Sequence, residues 1–335
     1  MTHIRKKAMV TGGAGFIGSH LVERLVHDGH DVVVIDNFST GRKENLNAVL
    51  DHAAVRVVRA DVTKPETLAG HFTGVEWVFH LAALADIVPS IEEPVRYVTN
   101  NVLGTLQVLD ASRNANVRRF VYTASDSSYG IPERIPTLES ESIKPQYPYA
   151  LSKYIGEELA LHYHQVYSLP VVSLRLANVY GPRSRTTGAY GGVFGVFLAQ
   201  KLHGKPYTVV GDGTQTRDFT YVTDVVDAFV KAAESTIAGD MFNVGSGDPQ
   251  SVNRLIELLG PENGVTYLPK RPGEPDFKKI DTTKIQKALG WKPAVTFEEG
   301  VKRILGCLDL WKDAPVWTPD AIANATKSWF THLTK

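Results

Sequence analysis

Nine residues near the start of the chain, Val10-Thr-Gly-Gly-Ala-Gly-Phe-Ile-Gly18, constrain the fold more than any other segment. They satisfy G-x-G-x-x-G from Gly13 and G-x-x-G-x-x-G from Gly12, through Gly15 and Gly18. An apolar run at 8–11 precedes them, and the segment 16–28 follows with Ile17, Leu21 and Leu25 at helical spacing. Between a strand and an amphipathic helix, such glycines permit a tight turn and let backbone N–H groups close on a pyrophosphate at the helix N-terminus. Without that setting they would mark a turn and no more. Dinucleotide binding is therefore expected at Gly12, Gly15, Phe16, Ile17 and Gly18.

Asp36 ends the next apolar run, 31–36, about 20 residues further on. A carboxylate there accepts hydrogen bonds from a ribose 2′-OH and repels a 2′-phosphate, which favours NAD over NADP. Arg42 and Lys43 nearby leave NADP open. Asp61, after the run 55–58, either reaches the adenine amino group or caps a helical segment at 64–71.

Further apolar runs at 77–81, 118–123 and 171–176 alternate with helical stretches, the longest being 95–114 and 149–167. Continuous rather than alternating apolarity indicates strands buried on both faces: an α/β fold with a Rossmann-type, doubly wound parallel sheet. Beyond Val179-Tyr-Gly-Pro182 the texture changes to shorter elements, with a Gly-rich stretch at 188–195, a helix at 196–202 and a strand at 207–210. A boundary is expected there, with a dinucleotide-binding domain in 1–180, later segments returning to it, and a substrate domain mainly in 181–335. The second half reads as elements set around the sheet edge, not as an independent core.

Composition removes several function classes. Thirty-six Lys+Arg balance 36 Asp+Glu, so the bulk positive charge of a nucleic-acid binder is missing. The 43% hydrophobic content is incompatible with a disordered chain. The single cysteine, Cys307, cannot form an internal disulfide, and within 301–310 it reads as a packed core thiol. No apolar run reaches membrane-spanning length, and a soluble cytoplasmic protein is expected. The histidines show no spacing that compels a metal site.

Of 13 tyrosines, only Tyr149 has a lysine four residues later, Lys153. On a helix the two share a face, and a neighbouring ammonium favours the phenolate of a general base. Upstream, Thr123-Ala-Ser-Asp-Ser-Ser-Tyr-Gly130 follows a strand, which places its hydroxyls at the carboxyl edge of the sheet.

Together these residues resemble the extended short-chain dehydrogenase/reductase family, in its nucleotide-sugar epimerase and dehydratase branch, from Thr11 to about Leu310. The resemblance implies a tightly held NAD and a smaller C-terminal α/β domain that grips a nucleoside-diphosphate sugar, UDP being the expected nucleotide. It implies that the Tyr149 phenolate takes a proton from a sugar hydroxyl, that Lys153 holds the nicotinamide ribose and that Ser125 bonds the reacting oxygen. His80-Leu-Ala-Ala83 resembles the strand lying along the cofactor; Leu81, Ala82, Ala83, Asn37, Val62 and Asn100 are carried over as cofactor residues. Asn178, Val193, Tyr207 and the two arginine segments, Gln215-Thr-Arg217 and Arg271-Pro-Gly-Glu274, are carried over as substrate residues. Two convergent guanidiniums suit a pyrophosphate, the alternative for Arg217 being a surface ion pair with Asp218. Gly188-Ala-Tyr190 resembles a stretch lining the uridine side, Asp86 falls where the family faces the sugar, Lys278 where it limits the C2 substituent, and Arg185 where some members grip a uronic-acid carboxylate.

Ser125-Asp126-Ser127 bears on the reaction. Dehydratases of this branch carry a glutamate at the Ser127 position beside an aspartate like Asp126, and elimination needs both an acid and a base. With one carboxylate missing, 4-epimerisation is expected, a 4,6-dehydratase using Asp126 being the alternative. A catalytically idle NAD-binding scaffold and a net oxidoreductase are rivals. The family resemblance implies a homodimer built on the stretches 95–114 and 149–167. Residues 311–329 lie outside the usual motifs and read as a packed terminal helix anchored by Trp317 and Trp329, or as a lid or contact surface.

Overall fold

A strand that is apolar on both faces needs helices on both sides, and the apolar runs meet that need as one sheet. The computed structural model describes residues 5–184 and 190–333. Six runs form β1 (Lys7–Thr11), β2 (Asp31–Asp36), β3 (Val55–Arg59), β4 (Trp77–His80), β5 (Arg119–Ser125) and β6 (Val171–Leu176). A seventh strand, β7 (Asp240–Val244), returns from the C-terminal half. All pair in parallel, in the order β7-β6-β5-β4-β1-β2-β3. The direction of winding reverses between β1 and β4, where folds of this kind open a crevice at the carboxyl ends of the strands.

Helix α1 (Phe16–His27) covers one face with Leu21, Val22 and Leu25. The other face is covered from the expected long helix at 95–114, which is interrupted. It consists of α2 (Pro94–Val98), a wide π-type turn at Thr99–Leu103 and α3 (Gly104–Asn114). Beside it runs α4 (Pro148–Tyr167), whose Ala160 and Tyr163 join Val108 and Leu109 of α3 against the sheet.

The second half departs from the expectation of a mere edging. Helices α5 (Val193–Leu202), α7 (Val252–Leu259) and α8 (Phe297–Leu305) enclose a separate apolar cluster with Tyr180, Tyr207, Phe219, Tyr221 and Trp311, while α6 (Val222–Glu234) packs Val225 and Phe229 into the sheet's core. Large rings stacked at short range give this half enough buried surface for its own core: Tyr180 lies 4.6 Å from Phe194, and Phe219 lies 5.3 Å from Phe297. Cys307 is half-buried against that cluster. The C-terminal stretch is two short helices, α9 (Pro319–Ala325) and α10 (Lys327–His332), anchored by buried Trp311 and Trp329; Trp317 is only partly covered. Among the described residues no helix is long and apolar enough to cross a membrane.

His80, at the end of β4, ties the crevice floor together. Its Nδ1 lies 2.7 Å from Thr11 Oγ1, and its Nε2 lies 2.9 Å from Thr105 Oγ1. Thr105 already donates to the Asn101 carbonyl, so it accepts from the imidazole, which sets the tautomer. Burial pushes the pKa of His80 from 6.5 down to about 3. Between those values the unfolded chain binds a proton that the folded protein does not. Stability is therefore full above pH 6.5 and falls with decreasing pH, by up to about 1.4 kcal/mol per pH unit from this group. In urea titrations from pH 7 to 4, His80→Gln should lose about 1–3 kcal/mol at pH 7 and show a shallower acid decline than the parent. Equal slopes would remove His80 as a source of the acid sensitivity.

Candidate active site

The loop after β1 closes against the loop after β4. Gly12 has φ +69°, and a Cβ there would stand 2.8 Å from the Ala82 amide nitrogen. At Gly18 a Cβ would stand 2.2 Å from the Gly12 carbonyl oxygen. Helix α1 starts after Gly15 with no side-chain cap, so its first amides face the crevice without a protein carboxylate or hydroxyl on them. At the end of β2 the buried Asp36 carboxylate accepts from the amides of Ala14 at 2.9 Å and Phe38 at 2.8 Å. Burial pushes its pKa up, and those two bonds oppose the rise.

These elements bound a cavity of about 450 Å³. Gly12, Gly15, Phe16, Ile17 and Gly18 line it with Asp36 and Asn37, and Val62 and Asn100 form part of its wall. Leu81, Ala82, Ala83 and Asp86 follow from β4, while Ser125, Tyr149, Lys153, Asn178 and Val193 line its inner part. The glycine cradle, the uncapped helix start and the carboxylate fit a dinucleotide, with Asp36 within the cavity for a ribose hydroxyl. Asp61 stands behind the lining residues Asn37, Ala60 and Val62. Its carboxylate is taken up by the Thr63 amide at 2.9 Å, the Thr63 hydroxyl at 2.7 Å and Asn37 Nδ2 at 3.2 Å. It is not a helix cap, since the helical turn at Pro65–Leu68 starts after Lys64.

Tyr149 stands in the first turn of α4 and lines the cavity with Ser125 at the end of β5, whose hydroxyl acts to lower the pKa of the phenol. Ser125 Oγ lies 2.8 Å from Ser127 Oγ. Burial pushes Tyr149 up to about 12; Ser125 pulls the other way, and the carboxylates of Asp126 and Asp86 add to the rise. Contrary to expectation, Lys153 is not among the groups that pull it down; its Nζ sits over the Tyr122 ring, 4.6 Å from the centroid. Burial takes Lys153 down to about 7, and Glu157, one turn further along α4, acts against that fall.

Asp126 does not open into the cavity. Its carboxylate accepts from Lys278 Nζ at 2.9 Å, an ion pair joining the two halves of the chain with side-chain exposures of 9% and 15%. Arg217 and Arg271 converge on one carboxylate, Glu274, each at 3.3 Å. Arg217 and Glu274 line a second cavity of about 290 Å³ with Gln215 and Lys270. The ion pair weighed for Arg217 with Asp218 does not form. Asp218 is buried and accepts from the Ser246 amide and hydroxyl at 2.6 Å and from the amides of Gly247 and Ile280 at 3.1 Å. Tyr207 lies in neither cavity. Its ring belongs to the second core, and its hydroxyl donates to the Gly260 carbonyl at 3.0 Å. Arg185, Gly188 and Ala189 lie outside the described residues.

Two features of the site escape sequence reasoning. The π-type turn carries Asn101 inward, where Nδ2 donates to the Leu84 carbonyl and to Ser152 Oγ, each at 2.9 Å, and Oδ1 accepts from the Leu84 amide at 2.8 Å. The Asn100-Asn101 pair within a helical stretch was its only signal. Tyr147 stacks on Tyr149, 6.4 Å between centroids and 7° between planes, with Trp329 at 6.1 Å on it. No local pattern pairs residues that far apart in the chain.

The family model for the NAD-dependent epimerase/dehydratase family matches residues 8–245. The chain is 38% identical to a UDP-glucose 4-epimerase of Mycolicibacterium smegmatis over 304 residues, covering 89% of this chain and 96% of that protein. Among solved structures it is similar to a Thermotoga maritima UDP-glucose 4-epimerase with UDP-glucose, at 37% identity and a TM-score of 0.84, covering 90% of this chain and 97% of that one. It is also similar to a mutant UDP-glucuronic acid 4-epimerase of Bacillus cereus in complex with UDP-4-deoxy-4-fluoro-glucuronic acid and NAD, at 32% identity and a TM-score of 0.84, over 90% and 99% of the two chains.

Gly18→Ala tests the cradle, because the new methyl would meet a backbone carbonyl that cannot swing aside. Dinucleotide content after purification should fall at least about tenfold, while Gly29→Ala, strained at φ +85° but away from the cavity, should cost stability and leave that content unchanged. Full cofactor content in Gly18→Ala would show that the loop does not hold the pyrophosphate.

Proposed function

The chain belongs to the NAD-dependent epimerase/dehydratase family, and on that footing we propose that it is a UDP-sugar 4-epimerase whose Tyr149 takes the proton of the sugar 4-hydroxyl. The observation that carries this reading is that Tyr149, Lys153 and Ser125 line one cavity together with the glycine loop and Asp36. NAD, when bound, supplies the oxidant for C4 and returns the electrons, so the reaction inverts one carbon with no net redox change. Ser125 bonds and orients the reacting oxygen. Lys153, on the same face of α4 as Tyr149, bonds the ribose beside it and holds positive charge near the phenol once the site is filled. Arg217 and Arg271, already converged on Glu274, support a diphosphate clamp.

The same geometry speaks against elimination. Asp126 is engaged by Lys278, and Ser127 offers a hydroxyl where a second carboxylate would be needed. Proton NMR in D2O with UDP-glucose and no added NAD should therefore show the C4 epimer without solvent deuterium. Tyr149→Phe should lose at least about 10³-fold in turnover while keeping its fold and cofactor. A deuterated 4-keto-6-deoxy sugar would mean a dehydratase, accumulating NADH a net oxidoreductase, and no turnover across UDP-sugars an idle scaffold.

A homodimer through α2–α4 is supported by apolar side chains left open on adjacent helices: Val95, 76% exposed, with Val98, Leu103, Leu151 and Val166. Light scattering at micromolar concentration should report twice the chain mass, and Val95→Asp with Leu151→Asp should halve it. A parent that scatters as a monomer would refute the interface.

A further inference from the structure

The end of the chain has no part in the chemistry above, yet it is pinned against the site. Helix α10 has only six residues, too few to hold a helix unaided. Ser328 is half-buried and Phe330 is 36% exposed, while Trp329 between them is 3% exposed. Trp329 Nε1 donates to the Pro272 carbonyl at 2.8 Å, and Ser328 Oγ donates to Glu92 Oε1 at 2.7 Å. Glu92 closes the short helix Ile87–Glu92 that follows Asp86, on the cofactor half of the molecule. Pro272 belongs to the loop that carries Arg271 and Glu274. One terminal turn thus touches both halves at the sugar end of the crevice.

What Trp329 faces matters more than where it is anchored. The Arg271 guanidinium lies between two rings, 5.5 Å from the centroid of Trp329 and 4.9 Å from that of Tyr190, and bonds the Tyr190 hydroxyl. Trp317 packs edge-on against Tyr190 at 5.2 Å, and its carbonyl is held by Gln200 Nε2 at 2.8 Å. A free arginine would lose side-chain freedom on binding an anion; one already fixed over two rings loses less. The same indole also lies 6.1 Å from the Tyr147 ring, at a tilt of 46°, and the Tyr147 ring is parallel to that of Tyr149.

We propose that Trp329 is a positioning residue: it holds the Arg271 guanidinium in place for the diphosphate of a nucleoside-diphosphate sugar and seats Tyr147 against Tyr149. The inference rests on the epimerase reading for the identity of the ligand only. Phe or Tyr at this position keeps an aromatic face for the cation; Leu fills the space without one.

The test is a double-mutant cycle on the purified, NAD-loaded protein, with UDP as the probe in calorimetry and a UDP-sugar in turnover. Trp329→Ala should raise the Kd for UDP and the KM about tenfold each, with a smaller loss in kcat. Trp329→Phe should recover both to within about threefold. Arg271→Ala should weaken UDP binding in the parent and add little in the Trp329→Ala background, because the two act as one unit. Trp329→Leu gives the same reading should the alanine variant not fold. Parent-like UDP affinity in Trp329→Ala or Trp329→Leu, or losses that simply add, would overturn the role of Trp329 and leave the epimerase standing. A parent protein that does not bind UDP at all would overturn both.

Discussion

The buried pair of Glu157 and Arg175 sets the rotation of α4 about its own axis, and the catalytic geometry depends on that rotation. Tyr149, Lys153 and Glu157 lie four residues apart on one helical face. The last of them accepts from Arg175 Nε at 2.9 Å and from Ser173 Oγ at 2.8 Å, both on β6, with side-chain exposures of 1% for Glu157 and 3% for Arg175. Arg175 in turn donates to Tyr129, which donates to Asn243 of β7. Loss of either ion would leave its partner buried and uncompensated, a penalty of about 3–5 kcal/mol. The helix cannot turn or slide without breaking this network, so the phenol and the ammonium keep their places relative to β5.

The cofactor end of the cavity is consequently more tightly constrained than the region around the second cavity. Around the glycine loop, backbone approaches backbone and leaves no space for movement. Beside the second cavity the contacts are ionic and aromatic: Lys278 with Asp126 and Trp329 with Tyr147 join the halves, while Arg217 with Glu274 and Arg271 with Trp329 lie within the second. Asp218 anchors that side: four donors on one buried carboxylate fix the turn at 246–247 to the segment at 280, which runs on from Lys278. Glu274 holds two guanidiniums at once, each at 3.3 Å.

What could be read from the sequence was local. The glycine loop, Asp36, six strands and the Tyr149–Lys153 spacing are patterns within a few residues, and each is set by backbone geometry. The sign of the shift at Tyr149 was not legible, because spacing along a helix says nothing of burial. Asp126 with Lys278, and Trp329 with Pro272, are separated by 152 and 57 residues, and only the folded chain brings them together. Tyr207 was misplaced for a related reason: a strand that borders a binding region also carries residues facing the opposite way, into the core.

The position of β7 has a consequence for how this chain is made. The sheet is ordered from residue 7 to residue 176, but its last strand is supplied by residues 240–244. During synthesis β6 emerges with an apolar, unpaired edge and keeps it until some sixty further residues have left the ribosome. The aromatic core of the second half is threaded through the same interval. No single cut divides the chain into two self-sufficient pieces, and the first half alone would expose an edge suited to pairing with another copy of itself.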